Sequence, residues 1–524
     1  MPRVVSTLLI CFALSLVLDA APCVKVIDLS WSNPTLSFLE EYLADMEKES
    51  PLDGLTISFI GKKEPVDGKM RGPAHFNAWN RRPWKYELLQ DEIQRYKSLK
   101  FTKFTDNFFY LTTIDVDFDW TSDDDWKTVA GNFGIAARVA REMGLKGLLV
   151  DLEEYVKPFW NYGDDVHPKD IAYDDLSKIV YQRGYQWGEA VFGAYPNIVL
   201  LLPFAFTYPA NLVSPFLNGV LEAMPPEARL YEGFEIDGYK AKTPGDYVRI
   251  QHRLRQVIKQ KVQKKNRRKA RAQLLLAPAF FLDAIFPFDR AYGWHQALLP
   301  ELDELGPVKF MARNFVGAME EADPYIWFYG ERRAWWQGSP HPSVTGIWDE
   351  APGGAGISQA IAAVKELTDL DKILGDNLLA DPHFRGLDNA WTIWRPENSD
   401  GQCPLGSQLV IADGKAVARM VSKGCFHQTV PVKPGHSYFL VVKGGYGEGA
   451  GQATATLRFL GKDNQKLSPS SSLELDLPRT DSQSVCHGLA TAPADAVSVT
   501  VQCGVSGQGP QGEIYFMEIF LFEM

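Results

Sequence analysis

Two carboxylates stand two residues apart, directly after a short apolar run. The run is Gly147–Val150, and Asp151 and Glu153 follow it. A continuous apolar run predicts a strand buried on both faces of a parallel sheet, and residues two apart on a strand point to the same face. Neighbouring acids suit proton transfer, because the charge of one raises the pKa of the other. We therefore interpret Glu153 as a general acid/base and Asp151 as the group that tunes or orients it.

Hydrolysis of a glycosidic bond is the chemistry that these acids indicate, since it uses one protonated carboxyl group and a second carboxylate as nucleophile or base. Two further predicted strands, 230–239 and 324–331, carry acids toward their carboxyl ends. Glu331 and Glu235 are the candidates for the second carboxylate, in that order. The alternative interpretation of each acid is structural, as a rim carboxylate paired with an arginine such as Arg332.

Other side chains near predicted strand ends are candidates for substrate binding. Aromatic rings stack on sugar faces and keep a polar edge for hydroxyl groups. The candidates are Trp31, Trp79, Asp106, Asn107, Tyr155, Trp160, Asp237, Tyr239, Tyr329 and Trp335. The competing interpretation of the aromatic residues is core packing, which accounts for most large rings in a protein of this size.

The elements that must position these residues alternate in type along the first two thirds of the chain. The predicted strands are 24–31, 53–59, 103–114, 147–150, 197–206, 230–239, 273–280 and 324–331. The predicted helices are 34–47, 86–99, 126–143, 173–192, 211–224, 244–271, 307–322 and 357–367. Eight strand-then-helix units predict an α/β fold, a (β/α)8 TIM barrel whose active site lies at the carboxyl ends of the strands. An open doubly wound sheet is the alternative, but 30–34 is not the Gly-rich turn expected after its first strand.

The character of the sequence changes near residue 377. Helical periodicity ends, and short β-rich runs follow, separated by Gly, Pro, Ser and Asp. Such spacing predicts an all-β sandwich, built of antiparallel strands. We therefore expect a barrel domain over 22–372 and a sandwich domain over 376–524, with a hinge between them.

The first 21 residues have the pattern of a secretory signal peptide. Arg3 supplies a positive start, an apolar run covers 6–18, and Ala20 and Ala21 offer a cleavage site. We therefore expect a secreted, periplasmic or cell-surface protein. No later apolar run is long enough to span a membrane.

Composition narrows the classes of partner and cofactor. A net charge of −11 over 524 residues argues against a nucleic-acid-binding protein, which is usually basic. Four of the six cysteines fall in the last quarter of the chain, and export favours disulfides among them. No Cys or His cluster has the spacing of a zinc site, so we expect neither a catalytic metal nor another cofactor.

The Asp151-Leu-Glu153 strand end resembles barrel glycoside hydrolases. Many of these place the acid/base Glu at the end of the fourth strand, and the chitinase-like group ends that strand in Asp-x-Glu. The resemblance implies a barrel fold over 22–372 and Glu153 as the acid. The chain departs from that group in having no acid within 146–150, and its seventh strand does not end in the nucleophilic Glu of the largest retaining clan.

The tail resembles carbohydrate-binding modules of the jelly-roll type. The resemblance rests on Asn377-Leu-Leu-Ala-Asp-Pro-His-Phe384, on Trp391 and on the Val-x-Pro-Gly-x-x-Tyr step within 428–438. It implies a glycan-binding or purely structural sandwich, with Trp391, Trp394 and Tyr446 as candidate binding aromatics. Together with the acids, it predicts a secreted glycoside hydrolase that cleaves a poly- or oligosaccharide. The alternative is a non-catalytic glycan-binding or cell-surface protein that keeps the barrel as a scaffold.

Overall fold

The computed structural model describes most of the chain after the expected signal peptide. The described residues are 24–66, 69–72, 78–114, 116–163, 171–385, 390–394, 408–412, 415–420, 424–447, 451–467, 472–480, 483–506 and 514–524. The predicted signal peptide and Cys403 lie outside them. In the described part of the chain, no helix is long and apolar enough to cross a membrane.

Short apolar runs form the strands of one parallel sheet. Its strands are β1 (Lys25–Ser30), β2 (Gly54–Ile57), β3 (Phe108–Leu111), β4 (Gly147–Val150), β5 (Val199–Leu202), β6 (Arg229–Glu232), β7 (Leu274–Leu276), β8 (Ala279–Phe281) and β9 (Tyr325–Gly330). The order across the sheet is β8-β9-β1-β2-β3-β4-β5-β6-β7. Every neighbouring pair is parallel, so all the strands end at the same edge, which we call the carboxyl edge.

Helices alternate with these strands, as the sequence predicts. They are α1 (Leu36–Glu49), α2 (Gln90–Ser98), α3 (Asp123–Met143), α4 (Tyr173–Ala194), α5 (Val213–Ala223), α6 (Glu235–Tyr239), α7 (Pro244–Gln260), α8 (Arg267–Gln273), α9 (Leu282–Ile285), α10 (Gly293–Leu298), α11 (Glu301–Leu305), α12 (Pro307–Glu321), α13 (Ile357–Glu366) and α14 (Leu370–Leu374). The single helix expected over 244–271 is two helices, α7 and α8, because a turn and the short 3₁₀ helix Lys264–Asn266 separate them.

Local sequence sets the ends of the longest helices. The Ser122 side chain accepts a hydrogen bond from the Asp125 backbone N–H at the start of α3. Acids fill the first turn, where they complement the helix dipole. Gly144, at φ 74°, ends the helix in the left-handed conformation that favours glycine.

The seventh predicted strand, 273–280, is divided in two. Ala277 and Pro278 separate β7 from β8, which lie at opposite edges of the sheet. Pro278 has no N–H to donate to a strand ladder. Ala277 donates its N–H to the Glu232 carbonyl at 3.1 Å, and the Pro278 carbonyl accepts from Trp327 at 3.1 Å. The structure therefore shows a curled parallel sheet of nine strands where the sequence predicts eight, and closure into an eight-stranded barrel stays a prediction.

The tail forms two antiparallel sheets, as expected from its β-rich runs. Its strands are β10 (Thr392–Trp394), β11 (Gln408–Ala412), β12 (Lys415–Met420), β13 (Gly424–Pro431), β14 (Ser437–Tyr446), β15 (Gln452–Leu460), β16 (Leu473–Asp476), β17 (Ser484–Thr491), β18 (Ser498–Ser506) and β19 (Ile514–Glu523). One sheet has the order β10-β13-β18-β15-β16 and the other β11-β12-β19-β14-β17. Cys486 and Cys503 are buried here without a disulfide, so the predicted disulfides are not shown.

One outer face of the sandwich packs against the helices of the parallel sheet. Phe439, Val441 and Phe522 belong to the same buried apolar cluster as the core around that sheet. Glu320 of α12 also contacts the His487 imidazole Nδ1. The sandwich is therefore joined to the α/β part by an apolar contact, and the exact bounds of the two predicted domains stay predictions.

Candidate active site

The carboxyl edge gathers side chains from strands that are far apart in sequence. Tyr110 lies near the end of β3, Asp151 and Glu153 follow β4, Glu235 follows β6, and Glu331 follows β9. Because the strands are parallel, these positions share one edge of the curled sheet. The acids predicted after strands four, six and eight therefore follow strand ends on one edge, and their roles stay predictions.

Asp151 is buried and has a donor on each carboxylate oxygen. Its Oδ1 accepts from the Glu153 backbone N–H at 2.8 Å, and its Oδ2 accepts from the Tyr155 hydroxyl at 2.6 Å. Burial raises the pKa of Asp151 to about 6, and these hydrogen bonds act in the opposite direction. Asp151 therefore organises the loop that carries Glu153.

Glu153 keeps its carboxylate available. The Thr113 hydroxyl donates to the Glu153 backbone carbonyl, but no hydrogen bond to the Glu153 carboxylate is formed by the described residues. Its negative charge raises the pKa of Asp151 and Glu235. Glu153 therefore lies close to both acids with its side chain only partly buried.

Glu235 is the most strongly perturbed acid of the carboxyl edge. Burial raises its pKa to about 9, and the charges of Asp151 and Glu153 add to that shift. A hydrogen bond with Tyr239 opposes it. Glu235 therefore holds a proton at neutral pH, and we call Asp151, Glu153 and Glu235 the acid cluster.

The backbone before Glu235 corrects the strand predicted over 230–239. β6 ends at Glu232, and Phe234 adopts φ 45° and ψ 44°, a left-handed conformation that costs energy for a residue with a bulky side chain. Glu235 then begins α6, where it lies one turn from Tyr239 rather than on a strand face with Asp237. Such unusual backbone conformations concentrate at functional sites.

Two acids of this region have structural partners. Glu232 points away from the acid cluster and accepts from the Ala205 N–H at 2.9 Å and the Thr207 hydroxyl at 2.6 Å. Asp237 forms an ion pair with Arg253 of α7. The structure therefore separates the candidate Asp237 from Glu235, because positions two apart on a helix face different directions.

Glu331 belongs to a second group, which we call the arginine cluster (Asp283, Glu331, Arg332 and Arg333). Its Oε1 accepts from the Tyr329 hydroxyl at 3.0 Å, and its N–H donates to Asp283 Oδ2 at 2.6 Å. Burial raises the pKa of Asp283 to about 6, while the charges of the two arginines lower it. Glu331 is not among the groups that shift the pKa of Glu235. Glu331 therefore fits the structural interpretation, a rim carboxylate beside arginines, more closely than Glu235 does.

Stacked tyrosines join the two clusters. The rings of Tyr239 and Tyr329 are nearly parallel, with centroids 6.1 Å apart. Tyr239 lies close enough to Glu235 to lower the pKa of its carboxyl group, and the Tyr329 hydroxyl donates to Glu331 Oε1 at 3.0 Å. The predicted binding residues Tyr239 and Tyr329 therefore do lie at the carboxyl edge beside candidate acids.

The predicted aromatic binding residues divide by exposure. Trp79 and Trp160 are fully buried in one aromatic cluster, with ring centroids 5.8 Å apart, and Trp335 is buried as well. Trp31 is 39% exposed and Tyr155 is 51% exposed. Of these five rings, Trp31 and Tyr155 expose surface to solvent, and the three buried rings are held by core packing.

Asp106 and Asn107 lie at the opposite, amino edge of the sheet. They precede β3, and Asp106 accepts from the Tyr325 hydroxyl at 2.8 Å. Asn107 accepts from the Leu55 N–H at 2.9 Å and donates to the Tyr96 hydroxyl at 3.0 Å. The predicted third strand, 103–114, is too long at its start, which is why the sequence misplaced both residues.

The candidate aromatics of the sandwich have structural partners. Trp391 is buried and donates its indole N–H to the Asp381 carbonyl at 3.0 Å. Tyr446 donates to the Leu477 carbonyl at 2.6 Å. The side chain of Trp394 lies outside the described residues.

Sequence reasoning missed Tyr110 and Asp283. The pKa of Tyr110 is raised by burial and by the charges of Asp151, Glu235 and Glu153, so it borders the acid cluster. Period-two alternation from Phe108, whose ring contacts Tyr325 across the sheet, would have found it. Asp283 lies in the one-turn helix α9, where no strand pattern marks it.

No protein-family model matches the chain, and no curated protein matches it in sequence. In structure it is similar to the enzymatically active domain of bacteriophage CBA120 tailspike protein 4, at 14% identity over 38% of this chain and a TM-score of 0.23. The match covers 26% of the tailspike chain, so this chain spans about a quarter of it.

Several structural neighbours are carbohydrate-binding proteins. A family 16 carbohydrate binding module-2 matches at 17% identity over 28% of this chain and all of its own, with a TM-score of 0.22. TmCBM61, solved in complex with beta-1,4-galactotriose, matches at 12% identity over 29% of this chain and all of its own, with a TM-score of 0.21. Similarities at these TM-scores show no function for this chain.

Proposed function

We propose that the protein is a secreted glycoside hydrolase that cleaves a poly- or oligosaccharide at the carboxyl edge of the sheet. The observation that carries the proposal is the acid cluster, in which a protonated Glu235 faces Asp151 and Glu153. Glycoside hydrolysis needs one carboxyl that holds a proton and one that does not. No basic side chain contributes to the pKa of Glu235 among the described residues, so nothing there forces its ionisation.

The proposed roles follow from burial and hydrogen bonding. Glu235 is the general acid, because burial keeps it protonated until the leaving-group oxygen takes its proton. Glu153 is the nucleophile or base, because its carboxylate is free of hydrogen bonds with the described residues. Asp151, whose oxygens both accept hydrogen bonds, positions Glu153 through its backbone N–H. Relative to the sequence-based assignment, Glu153 and Glu235 exchange roles.

We also propose that the curled sheet closes into a barrel. We infer that β7 and β8 are two halves of one strand interrupted at Pro278, so that the nine strands act as the eight of a closed (β/α)8 barrel. The support is that both edge strands are consecutive in the chain and bond to β6 and β9 on either side of Ala277 and Pro278. The signal-peptide pattern of residues 1–21 supports export.

A non-catalytic glycan-binding protein is the second candidate. The arginine cluster favours it, because Glu331 is held by Tyr329 and Asp283 beside two arginines, as a structural rim acid would be. The exposed rings of Trp31 and Tyr155 would serve a binder as well as an enzyme.

A glycan screen of purified residues 22–524 tests the enzyme against the binder. New reducing ends are measured for the wild type and for Glu235→Gln and Glu153→Gln, with Asp237→Asn as the control for a carboxyl-to-amide change on the same helix. We expect release by the wild type and Asp237→Asn and a loss of about 10²- to 10⁴-fold in Glu235→Gln. Unchanged release by Glu235→Gln contradicts the proposed acid, and binding without release by any protein supports the binder.

A further inference from the structure

Arg332 occupies a defined position at the carboxyl edge, two residues after β9. Its backbone carbonyl accepts from the Thr345 N–H at 3.1 Å, which fixes the chain there. Its guanidinium carbon lies 4.8 Å from the ring centroid of Phe288 and 6.0 Å from that of Trp31. Both rings are exposed, Phe288 by 52% and Trp31 by 39%. A cation is therefore held between two aromatic surfaces that face solvent.

This guanidinium has no counter-ion within the described part of the chain. It forms neither an ion pair nor a side-chain hydrogen bond there, and its Nε–H is buried without an acceptor. The neighbouring Arg333 differs, since it donates to the Phe286 carbonyl at 3.0 Å. Asp283 and Glu331 lie close enough for the charge of Arg332 to lower the pKa of Asp283, but each accepts its hydrogen bond from another group.

The neighbourhood of Arg332 connects to the acid cluster through tyrosines. The Trp31 side chain lies close enough to Tyr329 to lower the pKa of its hydroxyl, and the Tyr329 ring stacks on that of Tyr239. Tyr239 in turn lies close enough to Glu235 to lower the pKa of that carboxyl group. A ligand on Trp31 and Arg332 would thus lie beside the acid cluster rather than on it, as a neighbouring sugar unit of a bound chain does.

We propose that Arg332, with Trp31 and Phe288, binds an anionic unit of the saccharide, one that carries a carboxylate or a sulfate. This inference rests on the proposed function of the carboxyl edge. A guanidinium presents donors in a planar fork that matches carboxylate and sulfate oxygens, and the rings restrict its orientation before the ligand arrives. The exposed rings supply the flat apolar surface on which a sugar face packs.

Binding of three hexasaccharides to the Glu235→Gln protein tests this inference without turnover. The probes are a galacturonic acid hexasaccharide (carboxylates only), a chondroitin sulfate hexasaccharide (carboxylates and sulfates) and the neutral cellohexaose. Dissociation constants are measured by calorimetry in the Glu235→Gln background alone and with Arg332→Gln, Arg332→Lys or Arg268→Gln added. Arg268 is an exposed arginine of α8, so its substitution matches the loss of charge away from the carboxyl edge.

We expect at least one acidic probe to bind more tightly than cellohexaose. Arg332→Gln should weaken the acidic probe by at least about tenfold, Arg332→Lys by less, and Arg268→Gln not at all. If the galacturonic acid hexasaccharide binds more tightly than cellohexaose, the group that Arg332 binds is a carboxylate. If only the chondroitin sulfate hexasaccharide does so, the group is a sulfate. The inference is overturned if the acidic probes do not bind, or bind no more tightly than cellohexaose. It is also overturned if Arg332→Gln keeps the same preference for an acidic probe over cellohexaose.

The two proposals fail separately. An acidic saccharide that binds through Arg332 but is never cleaved by the wild type leaves this inference standing and removes the hydrolase. Cleavage confined to neutral saccharides, with acidic ones unbound, keeps the hydrolase and removes the anionic subsite.

Discussion

At the scale of single residues, burial is what distinguishes one acid from another. Asp151, Glu235 and Asp283 are carboxylic acids whose pKa values rise to about 6, about 9 and about 6. Burial is the largest cause in each case. Glu235 rises furthest because two like charges add to its burial and only Tyr239 opposes them. Only Glu235 therefore keeps its proton well above neutral pH.

The first prediction concerns the dependence of kcat/KM on pH. A general acid must be protonated, so activity is present below the pKa of Glu235 and is lost as pH rises through about 9. The pH–rate profile of the wild type should show this alkaline limb. In Glu235→Gln the residual activity should lack it, and a persisting limb near pH 9 would assign the acid to another residue.

The second prediction concerns the origin of that limb. The charge of Asp151 raises the pKa of Glu235, so Asp151→Asn should lower it and move the alkaline limb to lower pH. Glu331→Gln is the control, because Glu331 is absent from the groups that shift Glu235. The limb positions of both variants are read from kcat/KM profiles. A limb that stays in place in Asp151→Asn, or moves equally in both variants, would show that the acids are not coupled as proposed.

At the scale of elements, glycines let two helices approach closely. A Cβ at Gly184 of α4 would lie 1.9 Å from the Phe216 carbonyl oxygen of α5, and one at Gly219 would lie 2.0 Å from the Tyr181 carbonyl oxygen. Backbone atoms cannot yield as flexible side chains do. The two helices, which flank β5 along the chain, therefore depend on these glycines for their packing distance.

The third prediction follows from this close approach. Gly184→Ala should lower the free energy of unfolding by about 1 to 3 kcal/mol or more, because the added methyl forces the helices apart. The matched control is Gly131→Ala in α3, where a Cβ meets nothing within 4 Å. It should be neutral or stabilising by up to about 1 kcal/mol, since alanine favours helix. Urea unfolding gives the free energy of unfolding of both variants. If the two substitutions change it equally, the helices are less closely packed at Gly184 than the structure shows.

At the scale of the whole molecule, the sandwich is part of the same folded unit as the α/β part. Phe439 and Val441 of β14 and Phe522 of β19 point out of the sandwich into the apolar cluster around the parallel sheet. Alternate residues of β14, such as Leu440, face the core of the sandwich instead. Side chains of β14 therefore pack into two cores, because successive residues of a strand point to opposite faces of the sheet.

The fourth prediction tests this shared core. Val441→Asp places a charge in the apolar contact and should separate the unfolding of the two parts, because a buried unpaired carboxylate is costly. Calorimetry should show one main transition for the wild type and two for the variant. Val497→Asp, at a position 43% exposed in the sandwich, is the control and should leave the transition unchanged. A single unshifted transition in Val441→Asp would show that the contact contributes little.

The sequence by itself determined the elements and one pair of acids. The apolar run Gly147–Val150 and the two residues Asp151 and Glu153 lie where the pattern predicts, because a continuous apolar run is a local property of the sequence. The change to β-rich runs near residue 377 likewise predicted the two antiparallel sheets. The predicted strand bounds were wrong at two places, since the seventh strand is split at Pro278 and β6 ends early, at Glu232.

Only the tertiary structure decided which acid keeps its proton and which rings face solvent. The pKa of Glu235 depends on charges that follow β4, more than 80 residues earlier in the chain, and on burial by other strands. Trp79 and Trp31 are the same residue type and both lie in loops that follow strands, yet one is fully buried and the other exposed. Desolvation and Coulomb interaction act through space, so local sequence patterns do not contain them.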